Sequence, residues 1–125
     1  MQHHSKVEFV DALTKRIKQW VLDVLALCES LPATTTTRVI NYQLIKSSTS
    51  TGANHRATRR ARSQKEFFSK LSIAIEEADE SQYWLELIEG KGIACNQSLL
   101  QNTLREIDEI IRILAKARNT ASASK

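Results

Sequence analysis

Three stretches of the chain place an apolar residue at every third or fourth position, and each such repeat lays one stripe along a helix. The first stripe runs through Val10, Leu13, Ile17, Trp20, Val21, Val24, Leu27 and Leu31. Ser5 with Glu8 reads as a capping box at its start, and Leu31-Pro32 closes it. The second passes through Phe67 or Phe68, Leu71, Ala74, Ala78, Leu85 and Ile88. Ser63 and Glu66 cap it, and Gly90 and Gly92 stop it. The third uses Leu100, Leu104, Ile107, Ile111 and Leu114, starting near Asn96 or near Ser98, the latter paired with Gln101 in a further capping box. Beyond Arg118 the segment "NTASASK" is too small and polar to pack, so residues 119–125 are expected to form a disordered tail.

Residues 33–62 are harder to read. Val39, Ile40, Leu44 and Ile45 stand at helical spacing, and Ser47, Ser48, Thr51 and Ala57 continue the same face. Three long amphipathic helices need a fourth to close a core. A helix is therefore expected from Thr36 to about Arg59, its small residues allowing a neighbour to approach closely. The alternative is a linker after Ile45, because Gly and Thr are poor helix formers. Against it, a structureless loop of about twenty residues is uncommon inside a compact domain.

Composition changes this picture little. With 125 residues, 42% of them hydrophobic, the chain can bury one core and hardly two, so a single all-α domain over residues 1–118 is expected. One proline and three glycines leave helix almost uninterrupted. There is no apolar run of about eighteen residues, and "MQHHSKVE" lacks the apolar core of a signal peptide. Cys28 and Cys95 form neither a disulfide framework nor a metal-ligand pattern. A cytoplasmic protein with reduced thiols is expected.

The segment Tyr42–Ile88 also carries a resemblance. Its elements are the Gln43-Leu44 pair, the Ser-x-Gly-Ala-Asn run ending at Asn54, and the Ala-Arg-Ser-x-Lys-Glu-Phe run from Ala61 to Phe67. Leu71-Ser72-Ile73-Ala74, Glu77-Ala78 and Tyr83-Trp84-Leu85 follow. Together they resemble the signature of the bacterial four helix bundle protein family, which includes proteins encoded in intervening sequences of 23S ribosomal RNA. Thr51 stands where many relatives carry proline, which puts a kink there in question. The resemblance implies an antiparallel up-down-up-down bundle that commonly assembles as a homopentamer, with a cellular role uncharacterised for most members. A related branch is the accessory protein of diversity-generating retroelements, in which a basic pentamer binds nucleic acid and a reverse transcriptase.

Charge is segregated along the chain. From Arg38 to Lys70 the basic residues are Arg38, Lys46, Arg56, Arg59, Arg60, Arg62, Lys65 and Lys70, against the acid Glu66. From Glu76 to Glu89 there are only acids: Glu76, Glu77, Asp79, Glu80, Glu86 and Glu89. In an up-down-up-down bundle the end of helix two, the start of helix three, the start of helix one and the end of helix four share a pole. The candidate nucleic-acid-binding set at that pole is His55, Arg56, Arg59, Arg60, Arg62, Lys65, Lys116 and Arg118, with Lys6 nearby. Glu29, Glu80, Glu86 and Glu89 fall toward the other pole, offset by Arg38 and Lys91, and both cysteines are expected there. A helix of about 25 residues spans roughly 37 Å, several Debye lengths in physiological salt, so a partner would feel the poles separately. A basic cluster around an interhelical turn is also the ordinary form of a solvated cap. Arg-rich surfaces do bind phosphates, by counterion release and bidentate contacts. No aromatic is interleaved between Arg56 and Lys65, so backbone contact rather than base stacking is indicated.

Helix three carries more apolar surface than one stripe needs, and the surplus falls on Ile73, Trp84 and Leu87. Helix one has a similar surplus in Val7, Leu22 and Leu25. Such patches mark interfaces, so a homo-oligomer is expected. Enzyme readings are weaker. A di-iron bundle needs Glu-x-x-His motifs, and none of His3, His4 and His55 stands three residues after a glutamate. The consecutive acids Glu76, Glu77, Asp79 and Glu80 point in different directions, and no glycine-rich phosphate loop occurs. The expectation is a non-enzymatic protein without cofactor or metal, either a nucleic-acid-binding module or an adaptor for another protein. Salt separates the two, because backbone binding weakens steeply as salt rises and apolar docking does not.

Overall fold

A computed structural model describes residues 2–123. The described residues form four helices and no strand: α1 (Gln2–Glu29), α2 (Thr35–Thr58), α3 (Gln64–Lys91) and α4 (Gln97–Ala123). Each helix packs on two neighbours, in the cycle α1, α2, α3, α4, and the backbones of neither diagonal pair approach closely among the described residues. With short connections, this is an antiparallel up-down-up-down four-helix bundle.

The boundaries follow local chemistry. Ser63 is the N-cap of α3, its side chain accepting from the Glu66 amide. The reciprocal bond differs from a standard capping box, since Glu66 Oε1 accepts from the Arg62 amide at 3.4 Å. Gly92, at φ 70°, ends α3 in the left-handed conformation that glycine adopts without a Cβ penalty. Gly90 lies inside the helix instead of stopping it. For α4 the cap is Asn96, whose Oδ1 accepts from the Leu99 amide at 3.0 Å, and Gln101 reaches back to Glu89 rather than boxing with Ser98. Thr34 caps α2 through a reciprocal pair with Thr37. In α1 the helix already includes Ser5, so the capping box expected there does not mark its start; the Ser5 side chain lies outside the described residues. α1 stops at Glu29, before Leu31-Pro32, because Ser30 and Leu31 turn back onto the carbonyls of Leu27 and Cys28.

The expected helix through residues 36–59 is present, since α2 continues unbroken past Ile45 to Thr58 and the alternative of a linker falls away. One expectation needs correction. The tail expected to be disordered from residue 119 is helical to Ala123, where Gln64 at the start of α3 donates to the Ala121 carbonyl at 3.3 Å. Residues 124 and 125 lie outside the described part.

The core is built from Ile17, Trp20, Val24 and Leu27 of α1, Leu44 of α2, Leu71, Leu85 and Ile88 of α3, and Leu100, Ile107, Ile110 and Leu114 of α4. Burying each large side chain contributes roughly 1.5–3 kcal/mol. Trp20 keeps its polar edge satisfied by donating to the Thr103 carbonyl at 3.1 Å. Val21, Leu31, Leu104 and Ile111 are only partly buried, at the margin of the same core.

α2 is different. Ile40 and Leu44 face inward, whereas Val39 and Ile45, expected beside them, face solvent. The inward face continues as Ser47, Ser48 and Thr51, all fully buried, and Ser81 of α3 meets them. The Ser81 and Ser47 hydroxyls lie 2.8 Å apart. Thr51 donates to the Ser47 carbonyl at 2.8 Å, so these hydroxyls are satisfied inside the seam. Small residues let the two backbones come close, as the stripe predicted. On the α1 side, a Cβ added to Gly52 would meet Val21 Cγ2 at 3.2 Å, so glycine there serves helix contact.

Candidate nucleic-acid interface

The basic residues sort into distinct sites once the helices are packed. Residues three or four apart share a helix face. Arg56, Arg59 and Arg60 on α2 therefore line one wall of a groove, and Lys15 and Lys18 on α1 line the other. The groove has a volume of about 740 Å³, with Thr14, Thr49 and Ala53 between the cations. Arg59 is bonded to Asp11 of α1, a tether across the groove. Lys15, Lys18, Arg56 and Arg60 make no ion pair among the described residues. Uncompensated cations in a concave surface focus a positive potential.

The other predicted residues lie elsewhere. Arg62 is exposed at the α2–α3 turn and pairs with Glu66 at 3.2 Å, a bond that holds the Glu66 carboxyl below its ordinary range. Lys65 is exposed on the same turn. Lys116 lines a second cavity together with Lys6, and Arg118 is half-buried near the end of α4.

His55 does not belong to the surface. It is 5% exposed, and burial, reinforced by the nearby Arg59 charge, pushes its pKa down. His55 still lines the groove from its floor, but a neutral imidazole in that position offers a phosphate no charge. Its place on the inward face of α2, four residues after Thr51, is the reason.

Lys15 and Lys18 were missed. Their spacing along α1 was visible, but nothing local to α1 relates them to Arg56 and Arg60. Laying α1 antiparallel to α2 would have brought the two pairs together.

The apolar surface also shifts. Ile73, Trp84 and Leu87, expected at an oligomer interface, are half-buried, and Trp84 and Leu87 pack against the core. Trp84 Nε1 donates to Glu80 at 3.1 Å, and Tyr83 meets the Trp84 ring edge-on at 5.2 Å. The large side chains turned fully outward on α2 and α3 are Val39, Tyr42, Ile45 and Tyr83. The Ser47 to Ser81 contact sets the register of two antiparallel helices, so Ile45 and Tyr83, each two residues away from it, stand at one level. Val39, Tyr42 and Ile45 form an exposed apolar ridge along α2, and Tyr83 is an exposed aromatic at the same level on α3.

At the opposite end the Asn96 amide donates to Ser30 Oγ at 3.0 Å, drawing the α3–α4 loop against the end of α1. Cys28 and Cys95 are both free there; burial pushes the Cys28 thiol up to about 11 and raises that of Cys95. Neither is activated as a nucleophile at neutral pH. Among the described residues no helix is long and apolar enough to cross a membrane.

The architecture is thus that of a small antiparallel four-helix-bundle protein, cationic in one groove and apolar along one outer ridge. The chain belongs to the 23S rRNA-intervening sequence protein family, whose model matches residues 12–116. The match takes in parts of both outer helices, beyond the Tyr42–Ile88 stretch whose residues carried the resemblance. The chain is similar to a protein of unknown function from the S23 ribosomal protein family of Bacteroides thetaiotaomicron VPI-5482, known from a crystal structure at 1.70 Å resolution. The two share 29% identity and a TM-score of 0.74, over 85% of this chain and 97% of the other. No curated protein matches the chain.

Proposed function

We propose that this protein is a non-enzymatic cytoplasmic scaffold that binds the phosphate backbone of RNA or DNA through the α1–α2 groove, as a homo-oligomer. The observation that carries the reading is the set of cations in that groove, Lys15, Lys18, Arg56, Arg59 and Arg60, of which Arg59 is tied to an acid. Side chains of this type meet phosphates by charge and by hydrogen bonds, without reading base edges. Structured RNA is the natural first ligand for a family described by ribosomal RNA intervening sequences.

Fluorescence anisotropy with a structured RNA fragment tests it. Binding should weaken as salt rises, with a log–log slope of roughly −3.5 to −4 if the four unpaired cations each neutralise a phosphate of a duplex. A Lys15→Glu, Arg56→Glu, Arg60→Glu triple variant should lose most affinity while keeping its helicity. Wild-type affinity in that variant removes the groove from the site.

The oligomer is proposed to form through the ridge of Val39, Tyr42 and Ile45 together with Tyr83, flanked by Ile73, Trp84 and Leu87, and a ring of five is the state the family resemblance suggests. Light scattering should return a multiple of the 14.1 kDa chain mass that falls to one chain in Tyr42→Lys. An adaptor role is the second reading, favoured by the same ridge: exposed apolar patches of this kind dock proteins. A reverse transcriptase of a diversity-generating retroelement is the partner that this reading suggests. A monomer indifferent to RNA at low salt, yet retaining a protein partner at high salt, would decide for the adaptor.

A further inference from the structure

The pole where α1 begins holds a second cavity, of about 930 Å³, whose walls differ in chemistry. α1, α3 and α4 contribute mainly apolar side chains, among them Val7, Phe9, Leu13, Phe67, Leu71 and Ile113. Everything α2 contributes is polar: His55, Thr58 and Arg59. Lys6 and Lys116 add charge, and both are exposed. His55 is more than nine-tenths buried, and its ring nitrogens have no hydrogen-bond partner among the described residues. The ring nitrogens are not sealed in the core, and the open space that His55 lines is where they can meet a guest. Arg59 stands one turn further along the same face of α2.

We propose that this cavity binds an amphiphilic anion, a free alkyl carboxylate whose head lies against His55 and Arg59 of α2 and whose chain lies between α1, α3 and α4. The imidazole N–H donates to one carboxylate oxygen, and Lys6 and Lys116 supply the compensating charge beside Arg59, which is already tied to Asp11. The chain removes Phe9, exposed at 57%, and Val7, at 42%, from water. Cavities of this size, mostly apolar with a few convergent polar groups, are the usual form of a small-molecule site. The cavity shares His55 and Arg59 with the groove of the nucleic-acid reading, whereas Lys15, Lys18, Arg56 and Arg60 line the groove and not the cavity.

Isothermal titration calorimetry of the full chain at neutral pH tests the proposal, with decanoate kept below its self-association concentration. One saturable site per chain is expected, and decanol, which has the same chain without the charge, should bind about tenfold more weakly. Equal affinity for the two, no saturable heat with decanoate, or acetate binding as tightly as decanoate would each overturn it. His55→Leu should weaken decanoate about tenfold and leave decanol unaffected; an unchanged decanoate affinity in that folded variant counts against the proposal. Ala117→Trp, at an exposed lining position of α4, should block both ligands without disturbing the core, and decanoate binding that survives it overturns the site. Sedimentation with phosphatidylglycerol vesicles, in the absence of a saturable decanoate site, would assign the surface to lipid headgroups instead.

Discussion

The α2–α3 seam and the pole where α1 begins are built from opposite materials, and their packing is the reverse of what hydrophobicity alone suggests. The seam is lined by Ser47, Ser48, Thr51 and Ser81, all fully buried, and it is closed. The pole is rich in Val7, Phe9, Leu13, Phe67 and Ile113, and it retains a cavity of about 930 Å³. Small side chains allow backbones to approach, and each seam hydroxyl finds a carbonyl or a second hydroxyl within hydrogen-bond reach. Large apolar side chains fill space only if every neighbouring helix presents a complementary surface, and at this pole α2 presents His55, Thr58 and Arg59. Tightness here is decided by the shape and satisfaction of groups across an interface, not by how apolar each is.

The contrast can be broken first at Leu71, which is 2% exposed and touches both the core and the cavity. Leu71→Asp should cost several kcal/mol, a large part of the about 5–15 kcal/mol that holds a domain folded. Loss of the far-ultraviolet helical signal checks this. Phe9→Asp, on the open side, should stay within about 0.5 kcal/mol of wild type in urea unfolding, since the side chain is already 57% exposed.

Volume is the next probe. Ser81→Leu forces methylenes into the closed seam and should destabilise by about 1–3 kcal/mol. Ala117→Leu, beside the cavity, should be neutral or stabilising; equal losses in both variants would show that the two regions are equally tight. A smaller effect, about 1 kcal/mol, is expected for Ser63→Ala, which removes the α3 cap between the two regions.

The mildest probe is pH. Burial lowers the His55 pKa, so the folded state holds the ring neutral while the unfolded chain binds a proton below about pH 6.5. Stability should therefore be full above that pH and decline as pH falls below it, and His55→Leu should remove the decline. A second decline belongs to Glu106, held below its ordinary range first by its hydrogen bond to Arg16 at 2.7 Å. Its contribution is present above about pH 4 and is lost as pH falls further; being partly exposed, the pair should contribute no more than about 1 kcal/mol. Thermal melts of wild type and Arg16→Gln between pH 3 and 8 separate the two declines.

Much of the fold was legible along the chain. The stripes through Ile17, Val24 and Leu27, through Leu71, Leu85 and Ile88, and through Leu100, Ile107 and Leu114 are the observed core. Ser63, Asn96 and Gly92 act as end signals because capping depends on one side chain and its next few amides. Less of the site was legible. His55 read as one more cation among arginines, yet the same register that buries Ser47 and Thr51 buries it too. Lys15 and Lys18 were not singled out at all, because nothing local to α1 relates them to the α2 cations. The apolar surplus was read on Ile73, Trp84 and Leu87, which are half-buried, and not on Val39, Tyr42 and Ile45, because outward direction on α2 depends on which of its faces α3 occupies.

What the sequence determined by itself is what depends on neighbours in the chain: four helices, most of their ends, the inward stripes of α1, α3 and α4 and the concentration of positive charge near the α2–α3 turn. What only the tertiary structure decided depends on neighbours across the bundle. Lys15 faces Arg56 over a groove, Arg59 is tied to Asp11, His55 opens onto a cavity rather than solvent, and Ile45 stands level with Tyr83. The physical reason is range. Hydrogen-bonded helices propagate from contacts three and four residues apart, whereas a groove, a cavity and a ridge arise where residues distant in the chain meet, and their register is set by interfaces such as Ser47 against Ser81.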